Sequence, residues 1–246
     1  MTLADLKVNE IIIKRINEKY KNIKWDILSE ENVKTSKTFF TKNDGVWVLD
    51  PLDGTKDFIQ GTGNYAMHLA LNFKDKPYIG FILIPDKNQL WITDGKKTWC
   101  EKRDRSKYTP IFLKNKNLQD MTLVTSKNHG NEILKTLIQK INFRKVHIMG
   151  SIGCKIASIV RGDSDIYICL SLPGKSAPKD WDFAAPESIL KAAGGAITNL
   201  DNKELTYGQN GYVQGGIIVA TSDLNTQGRI CLEIKKIIED NEIYPL

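Results

Sequence analysis

The most informative stretch of this sequence reads Trp47-Val-Leu-Asp50-Pro51-Leu52-Asp53-Gly54-Thr55. Its first residues predict an apolar strand that ends at Leu49. Pro51 biases the residue before it toward an extended conformation, which places the Asp50 carboxylate at the end of the strand. Asp53 is expected three residues later in the same turn. The spacing therefore predicts two neighbouring carboxylates that can gather a cation.

The residues that follow add an anion-binding element. Gly54 has no side chain, so a ligand can approach the backbone closely, and Thr55 is predicted to begin a short helix. The free N–H groups and the positive dipole end of a helix start favour an anion. A Mg²⁺-assisted phosphoryl site needs this combination. An ordinary surface turn with a helix cap is the other interpretation of the same residues.

Two distant segments supply further carboxylates. Glu30 and Glu31 follow a short apolar stretch, and Asp182 stands at the predicted start of an apolar helix. Taken singly, the first is typical of a solvated turn and the second of an N-cap. Together, Glu30, Asp50, Asp53 and Asp182 provide the several oxygen ligands that two or three Mg²⁺ ions require.

Composition narrows the class of protein. The 246 residues are 41% hydrophobic and 26% charged, and Lys+Arg exceed Asp+Glu by 35 − 29 = 6. This surplus suits an anionic substrate, but the lysines are scattered and predict no groove for a nucleic-acid polymer. No apolar run is long enough for a membrane span, so we expect a cytoplasmic protein. The four cysteines and three histidines lack zinc-ligand spacing, which leaves a hard, oxygen-bound metal.

The pattern along the chain predicts two lobes that join near residue 120. Residues 1–120 are predicted to form an antiparallel-rich α+β lobe that carries most of the metal ligands. Residues 121–246 are predicted to form an α/β lobe that carries Asp182 and substrate contacts.

Individual helices and strands can also be predicted. Thr2 and Asp5 predict a capping-box start to the first helix, and residues 32–45 predict a loop. Strands are predicted at 46–49, 65–73, 78–84, 89–93, 121–125, 144–148, 165–170, 195–199 and 213–220. Helices are predicted at 130–141, 153–161, 183–193 and 223–239.

At the acidic segments the sequence resembles the inositol monophosphatase superfamily of Mg²⁺-dependent, lithium-sensitive phosphatases. The matching motifs are Leu28-Ser-Glu30-Glu31, Asp50-Pro-Leu-Asp53-Gly-Thr55, and Trp181-Asp182-Phe-Ala-Ala followed by Ala192-Ala-Gly194-Gly195. The resemblance implies a layered αβαβα sandwich of the inositol monophosphatase and sugar phosphatase type. Family members carry a further helix ahead of the segment that matches Thr2–Asp5. We therefore expect the layered sandwich of this sequence to lack that first helix.

The resemblance also implies roles for individual residues. The metal ligands would be Glu30, Asp50, Asp53, Asp182 and the carbonyl of Leu52. Thr55, together with Glu30, would orient and deprotonate the attacking water, and Asp5 would belong to the same activating network. The N–H groups of Gly54 and Thr55 would hold the phosphate.

Within the superfamily, the run Asp53-Gly-Thr-Lys-Asp-Phe-Ile59 looks more like the 3′(2′),5′-bisphosphate nucleotidases than the inositol enzymes. Lys155 follows Ser151 in the sequence, near a predicted helix start. It matches a position at which the nucleotidase branch has a lysine. The implied substrate contacts are Asp53, Gly54, Thr55, Ser151, Lys155 and Asp182. The implied reaction converts adenosine 3′,5′-bisphosphate to AMP and phosphate. A solvated surface lysine is the other interpretation of Lys155.

Several alternatives stay open at this point. The chain could be an inositol or sugar monophosphatase with the same chemistry, or a member that binds metal or nucleotide without turnover. A glycoside hydrolase would also use paired acids, but without Mg²⁺. Asp163 and Asp165 are interpreted as turn residues and not as metal ligands. The expected partner is a small phosphorylated metabolite, and the expected state is a monomer or a homodimer.

Overall fold

The structure is a computed structural model that describes residues 1–35, 43–110, 116–126 and 132–244. Its helices are α1 (Leu3–Lys19), α2 (Glu30–Thr35), α3 (Thr55–Gln60), α4 (Glu132–Ile141), α5 (Ile152–Val160), α6 (Asp180–Ala192) and α7 (Leu224–Asp240). Its first seven strands are β1 (Asp26–Ser29), β2 (Gly45–Asp53), β3 (Ala66–Phe73), β4 (Lys76–Ile84), β5 (Gln89–Thr93), β6 (Thr98–Glu101) and β7 (Lys107–Tyr108). The others are β8 (Thr122–Thr125), β9 (Lys145–Ile148), β10 (Ile166–Ser171), β11 (Ala196–Asn199) and β12 (Gly216–Thr221).

Within the described residues, the strands form two sheets. Strands β1 to β7 lie side by side in chain order, and only the β1–β2 pair is parallel. The second sheet has the order β11-β12-β10-β8-β9, with parallel pairing of β8 to both of its neighbours. The sheets are built from residues 26–108 and 122–221. The join predicted near residue 120 falls between these two ranges. The division into two lobes stays a prediction, because α6 belongs to the second half of the chain but packs on the first sheet.

Hydrophobic packing places the helices in three layers around the two sheets. The largest core cluster joins α5 and α6 to the inner faces of both sheets. A second cluster packs α4 and α7 against the outer face of the five-stranded sheet. A third joins Ile16 of α1 to Trp47 and Leu71 on the outer face of the seven-stranded sheet. The predicted αβαβα sandwich is thereby confirmed.

Alternation along β2 shows how one strand serves two layers. Trp47 belongs to the outer cluster with α1, whereas Val48 belongs to the inner cluster with α5 and α6. Successive side chains of a strand point to opposite faces of the sheet, so a strand that is covered on both faces is apolar throughout. This explains the apolar run that precedes the acidic motif.

The predicted start of the first helix is confirmed. The Thr2 hydroxyl accepts a hydrogen bond from the Ala4 N–H, and the Asp5 carboxylate accepts one in return from the Thr2 N–H. Asp5 is 1% exposed, because the helix packs this face against the first sheet. Within the described ranges, no helix is long and apolar enough to cross a lipid bilayer.

Several predicted boundaries were wrong. Residues 32–35 continue helix α2, β2 already begins at Gly45, and residues 36–42 of the predicted loop lie outside the described residues. Strands β6 and β7 were missed. The helix predicted at 130–141 is described from Glu132, its first two residues being outside the described ranges. Helix α6 begins at Asp180, three residues earlier than predicted, and β12 begins three residues later, at Gly216.

Gly80 allows α6 to lie close to the first sheet, and its replacement tests this packing. A Cβ at Gly80 would lie 2.0 Å from the Ser188 Oγ and 3.0 Å from the Ala185 carbonyl oxygen. We expect Gly80→Ala to lower the free energy of unfolding by about 1–3 kcal/mol through overpacking. Gly215→Ala is the control, because a Cβ there meets only a Val213 methyl group, at 3.7 Å. Equal denaturant midpoints for the two variants would contradict this account of the α6 contact.

Candidate active site

Three carboxylates from distant parts of the chain converge in the structure. Asp50, Asp53 and Asp182 each offer an oxygen atom, and these three atoms lie within 4.8 Å of one another. Asp50 is 1% exposed, and the other two are partly buried. Two come from the end of β2 and the third from α6, which packs against the same sheet. The sequence predicted all three residues, and the fold brings them together.

The end of β2 differs from its predicted shape. The strand runs through to Asp53, and its pairing with β3 shifts register between Asp50 and Asp53. The Asp50 Oδ1 accepts a hydrogen bond from the Leu52 N–H at 2.9 Å. The prediction that the strand ends at Leu49 was wrong, because the irregularity bends the strand without ending its pairing. The irregularity lies between the two carboxylates that join Asp182.

Gly54 connects this strand to α3 in a conformation that favours glycine. Its φ is +87°, and a Cβ would lie 3.1 Å from the Asn64 carbonyl oxygen and 3.3 Å from the Ser151 nitrogen. The sequence predicted that Gly54 gives a ligand access to the backbone. The structure adds a second reason, which is a left-handed turn packed closely against two backbone segments.

Thr55 begins α3 and contacts the first helix. Its Oγ1 lies 3.2 Å from the Leu52 carbonyl oxygen and 3.4 Å from the Asp5 Oδ1, and it can donate its single proton to one of them. The Asp5 Oδ2 accepts a hydrogen bond from the Thr2 hydroxyl at 2.6 Å. The structure thus brings Asp5, Leu52 and Thr55 together, and the roles that the family resemblance implies for them stay predictions.

Asp53 is held by the start of α5. Its Oδ2 accepts hydrogen bonds from the Ser151 hydroxyl at 2.7 Å and the Ile152 N–H at 2.5 Å. The His68 Nε2 lies 3.4 Å from the same oxygen. The N-terminus of this helix therefore binds a carboxylate of the protein itself. Ser151 contacts Asp53 directly, whereas the sequence predicted it only as a substrate contact.

Asp182 lies inside the first turn of α6, two residues after the helix begins. Its Oδ2 accepts a hydrogen bond from the Lys179 N–H at 2.6 Å. The interpretation of Asp182 as an N-cap was therefore wrong, since Lys179 occupies the N-cap position. A carboxylate in this turn still benefits from the positive end of the helix dipole. Asp163 and Asp165 lie outside the cluster, and Asp165 pairs with Lys116 at 2.8 Å.

Glu30, the fourth predicted ligand, contacts a lysine that the prediction missed. The Lys34 Nζ lies 2.9 Å from the Glu30 Oε1 and 3.0 Å from the Glu31 Oε1. Partial burial alone would lower the pKa of Lys34, but hydrogen bonds and charge attraction from the two glutamates raise it. The spacing of four residues between Glu30 and Lys34 on one helix is the sequence signal that would have found this pair.

The electrostatics of the cluster fit a bound cation. Burial raises the pKa of Asp50, and the charges of Asp53, Glu30 and Asp182 raise it further. Burial also raises the pKa of Asp182, with Asp53 as the next cause. Within the described ranges, neither Asp50 nor Asp182 has an ion-pair partner. Buried carboxylates that repel one another are stabilised by a divalent cation, and oxygen ligands of this kind suit Mg²⁺.

Lys155 occupies an environment that the sequence did not predict. The residue is 1% exposed, so its interpretation as a solvated surface lysine was wrong. Its Nζ donates a hydrogen bond to the Gly150 carbonyl oxygen and lies 5.3 Å from the centroid of the Tyr167 ring. Burial lowers the pKa of Lys155, although the charge of Asp53 opposes this effect. In the part of the chain that the structure describes, no carboxylate forms an ion pair with it.

A cavity of about 1040 Å³ adjoins the carboxylates. Its wall includes acidic residues (Glu30, Asp53 and Asp182), lysines (Lys34, Lys155, Lys175 and Lys179) and aromatic residues (Tyr167, Trp181 and Tyr212). Acidic groups that can hold a cation and basic groups that can hold an anion therefore share one space. His68 was missed along with Lys34, and no local motif marks it, because it reaches Asp53 only through the pairing of β2 with β3.

The sequence is similar to that of a curated protein. A protein from Buchnera aphidicola, "3′(2′),5′-bisphosphate nucleotidase CysQ", is 32% identical over 161 residues, which are 65% of this chain and 57% of that protein. This chain therefore matches less than two thirds of that relative's length.

Solved structures share the fold. The inositol monophosphate-bound crystal structure of SaIMPase-II has a TM-score of 0.75 and 24% identity, and it covers 97% of this chain and 86% of its own. The 2′AMP-bound structure of SaIMPase-II has a TM-score of 0.73 and 24% identity. The match covers 97% of this chain and 87% of the SaIMPase-II chain. The model of the inositol monophosphatase family matches residues 1–239. The chain therefore belongs to the inositol monophosphatase family.

Proposed function

We propose that this protein is a Mg²⁺-dependent phosphomonoesterase that hydrolyses a small phosphorylated metabolite. The observation that carries the proposal is the convergence of Asp50, Asp53 and Asp182 beside a cavity that also contains lysines. Membership of the inositol monophosphatase family supports it. In the reaction, water forms a bond to phosphorus while the ester P–O bond breaks. The leaving oxygen takes up a proton, and the products are an alcohol and inorganic phosphate.

The proposed metal ligands are Asp50, Asp53, Asp182, Glu30 and the carbonyl of Leu52, and they would hold two or three Mg²⁺ ions. Bound Mg²⁺ supplies Lewis-acid stabilisation of the charge that develops on the phosphoryl oxygens. Glu30, which contacts Lys34, would complete this set if its carboxylate were free to bind a cation. Within the described residues, Glu30 is the proposed ligand that pairs with a lysine.

Thr55 is proposed to orient the attacking water. When its hydroxyl proton is directed at Asp5, the Oγ1 lone pairs can accept a hydrogen bond from that water. Glu30 is proposed as the group that takes up the water proton. The backbone N–H groups of Gly54 and Thr55 are proposed to hold the phosphate. Asp5 acts on Thr55 and not on the substrate, so it is a positioning residue.

We further propose adenosine 3′,5′-bisphosphate as the preferred substrate. The nucleotidase relative in Buchnera and the 2′AMP-bound SaIMPase-II structure support a nucleotide. The inositol monophosphate-bound structure of SaIMPase-II supports the alternative, an inositol or sugar monophosphatase. Lys155 favours the bisphosphate, because a buried ammonium group without a carboxylate partner can bind a second phosphate that is not cleaved. Ser151 is proposed to contact the substrate at the same helix start.

The metal requirement gives the first test of this proposal. We expect phosphate release to stop in excess EDTA and to return with millimolar-range Mg²⁺, because the proposed ligands are hard oxygen atoms. Mg²⁺ should also raise the melting temperature, since it binds only the folded cluster. By family resemblance, lithium and calcium should inhibit. Full turnover in excess chelator would contradict the metal-assisted mechanism.

Substitution of the carboxylates gives the second test. Asp53→Asn and Asp182→Asn each remove a negative ligand and keep the side-chain shape, so kcat should fall by orders of magnitude. The stabilisation of the fold by Mg²⁺ should fall with it. Asp163→Asn is the matched control, because this half-exposed carboxylate pairs with Arg161 outside the cluster. Near-full activity of Asp182→Asn at saturating Mg²⁺ would remove it from the ligand set.

Lys155→Met tests the substrate assignment. Methionine keeps much of the buried volume and removes the charge, so kcat/KM for adenosine 3′,5′-bisphosphate should fall by about tenfold or more. The value for inositol 1-phosphate should change little, since that substrate has no second phosphate. Lys140→Met, an exposed lysine on α4, is the control, and thermal unfolding checks that each variant is folded. Equal losses on both substrates would favour the monophosphatase alternative.

A further inference from the structure

The aromatic ring of Tyr212 is part of the cavity wall. This residue comes after all of the acidic motifs in the sequence. It lies in the short 3₁₀ segment Asn210–Tyr212, between β11 and β12. The ring is partly buried, and its centroid lies 6.1 Å from that of Trp181 at an interplanar angle of 47°. Trp181 is only 7% exposed, so it packs beside the tyrosine and offers little surface of its own.

The segment that carries Tyr212 is tied to the segment that leads into Asp182. The Lys179 Nζ donates a hydrogen bond to the Gly211 carbonyl oxygen at 2.8 Å. The Gln214 N–H donates one to the Pro178 carbonyl oxygen at 2.8 Å. The Lys179 N–H in turn donates to Asp182. Short contacts therefore connect the tyrosine with one of the proposed metal ligands.

The backbone at Tyr212 adopts an unusual conformation for an aromatic residue. Its φ is +56°, directly after Gly211 with φ +72°. Bulky side chains rarely occupy this region, because the Cβ approaches the backbone closely. Such a conformation persists where the surrounding contacts determine it. Here it coincides with a ring that lies on the cavity wall against Trp181.

The cavity has room for more than a phosphorylated sugar ring. Its volume of about 1040 Å³ lies at the upper end of the range of roughly 300–1000 Å³ that is typical of small-molecule sites. Asp53, Asp182, Lys155 and Tyr212 all line it. The carboxylates, the buried lysine and the tyrosine ring therefore line one shared space.

We propose that Tyr212 is the stacking surface for the base of a nucleotide substrate and that it selects for substrates that carry a planar ring. This inference rests on the proposed phosphatase function. Aromatic stacking is tolerant of base identity, because every base presents a π face. The subsite therefore selects for the presence of a base and accepts both purines and pyrimidines.

The test compares adenosine 3′,5′-bisphosphate with its abasic analogue, in which a tetrahydrofuran ring carries the same two phosphates. Both substrates are assayed with the full-length protein and Mg²⁺ against wild type, Tyr212→Leu and Tyr212→Phe. Tyr78→Leu is the matched control, since Tyr78 is 49% exposed on β4 and does not line the cavity. Equilibrium binding of both compounds is measured in parallel, and thermal unfolding checks the fold of each variant.

We expect Tyr212→Leu to lower kcat/KM for the nucleotide by about tenfold or more and to raise its Kd by a similar factor. The loss should be several times smaller for the abasic analogue, and Tyr212→Phe should restore most of the wild-type preference. Equal losses on the two compounds, or a wild type that does not distinguish them, would overturn the stacking role. If phosphate release fails with every substrate, the proposed function falls. The ratio of the two Kd values then still decides whether Tyr212 recognises a planar ring.

Discussion

Mutual repulsion among Asp50, Asp53 and Asp182 is the constraint on which the rest of the site depends. Two unit negative charges 4.8 Å apart repel by roughly 3.5 kcal/mol at an effective dielectric constant of 20. Asp50 is buried and the other two carboxylates are partly buried, so water screens this repulsion only in part, and a bound cation would relieve it. Burial is the main cause of the raised pKa values of Asp50 and Asp182, and the neighbouring carboxylates raise them further. The fold keeps these groups together only because other elements hold each one in position.

Helix starts provide part of that support. The first turn of α5 donates hydrogen bonds to Asp53, and the N–H that precedes α6 donates to Asp182. Both helices lie between the two sheets in the largest hydrophobic cluster, so burial of apolar side chains fixes where these helix starts lie. The positions of the carboxylates therefore depend on core packing that involves neither of them. Gly80, where α6 lies close to the sheet, is part of the same arrangement.

Two lysines beside the carboxylates, Lys34 and Lys155, lie in different environments. Lys34 is partly exposed and pairs with Glu30 and Glu31, so its charge is already compensated by the protein. Lys155 is buried, contacts a carbonyl oxygen and an aromatic ring, and has no ion pair within the described residues. A buried charge without a counter-charge destabilises a protein unless a ligand supplies one. This contrast is the physical reason for assigning Lys155, and not Lys34, to an anionic group of the substrate.

The sequence by itself determined the acidic residues, the capping box of α1, most of the helices and strands, and the family resemblance. These features depend on residue type and on spacing within a few positions, and both can be read along the chain. Only the tertiary structure decided the convergence of Asp182 with β2, the capture of Asp53 by α5, the burial of Lys155 and the position of Tyr212 against Trp181. Each of these depends on contacts between segments that lie far apart in the sequence. Local preferences do not encode such contacts, because hydrophobic packing of whole elements determines which side chains meet.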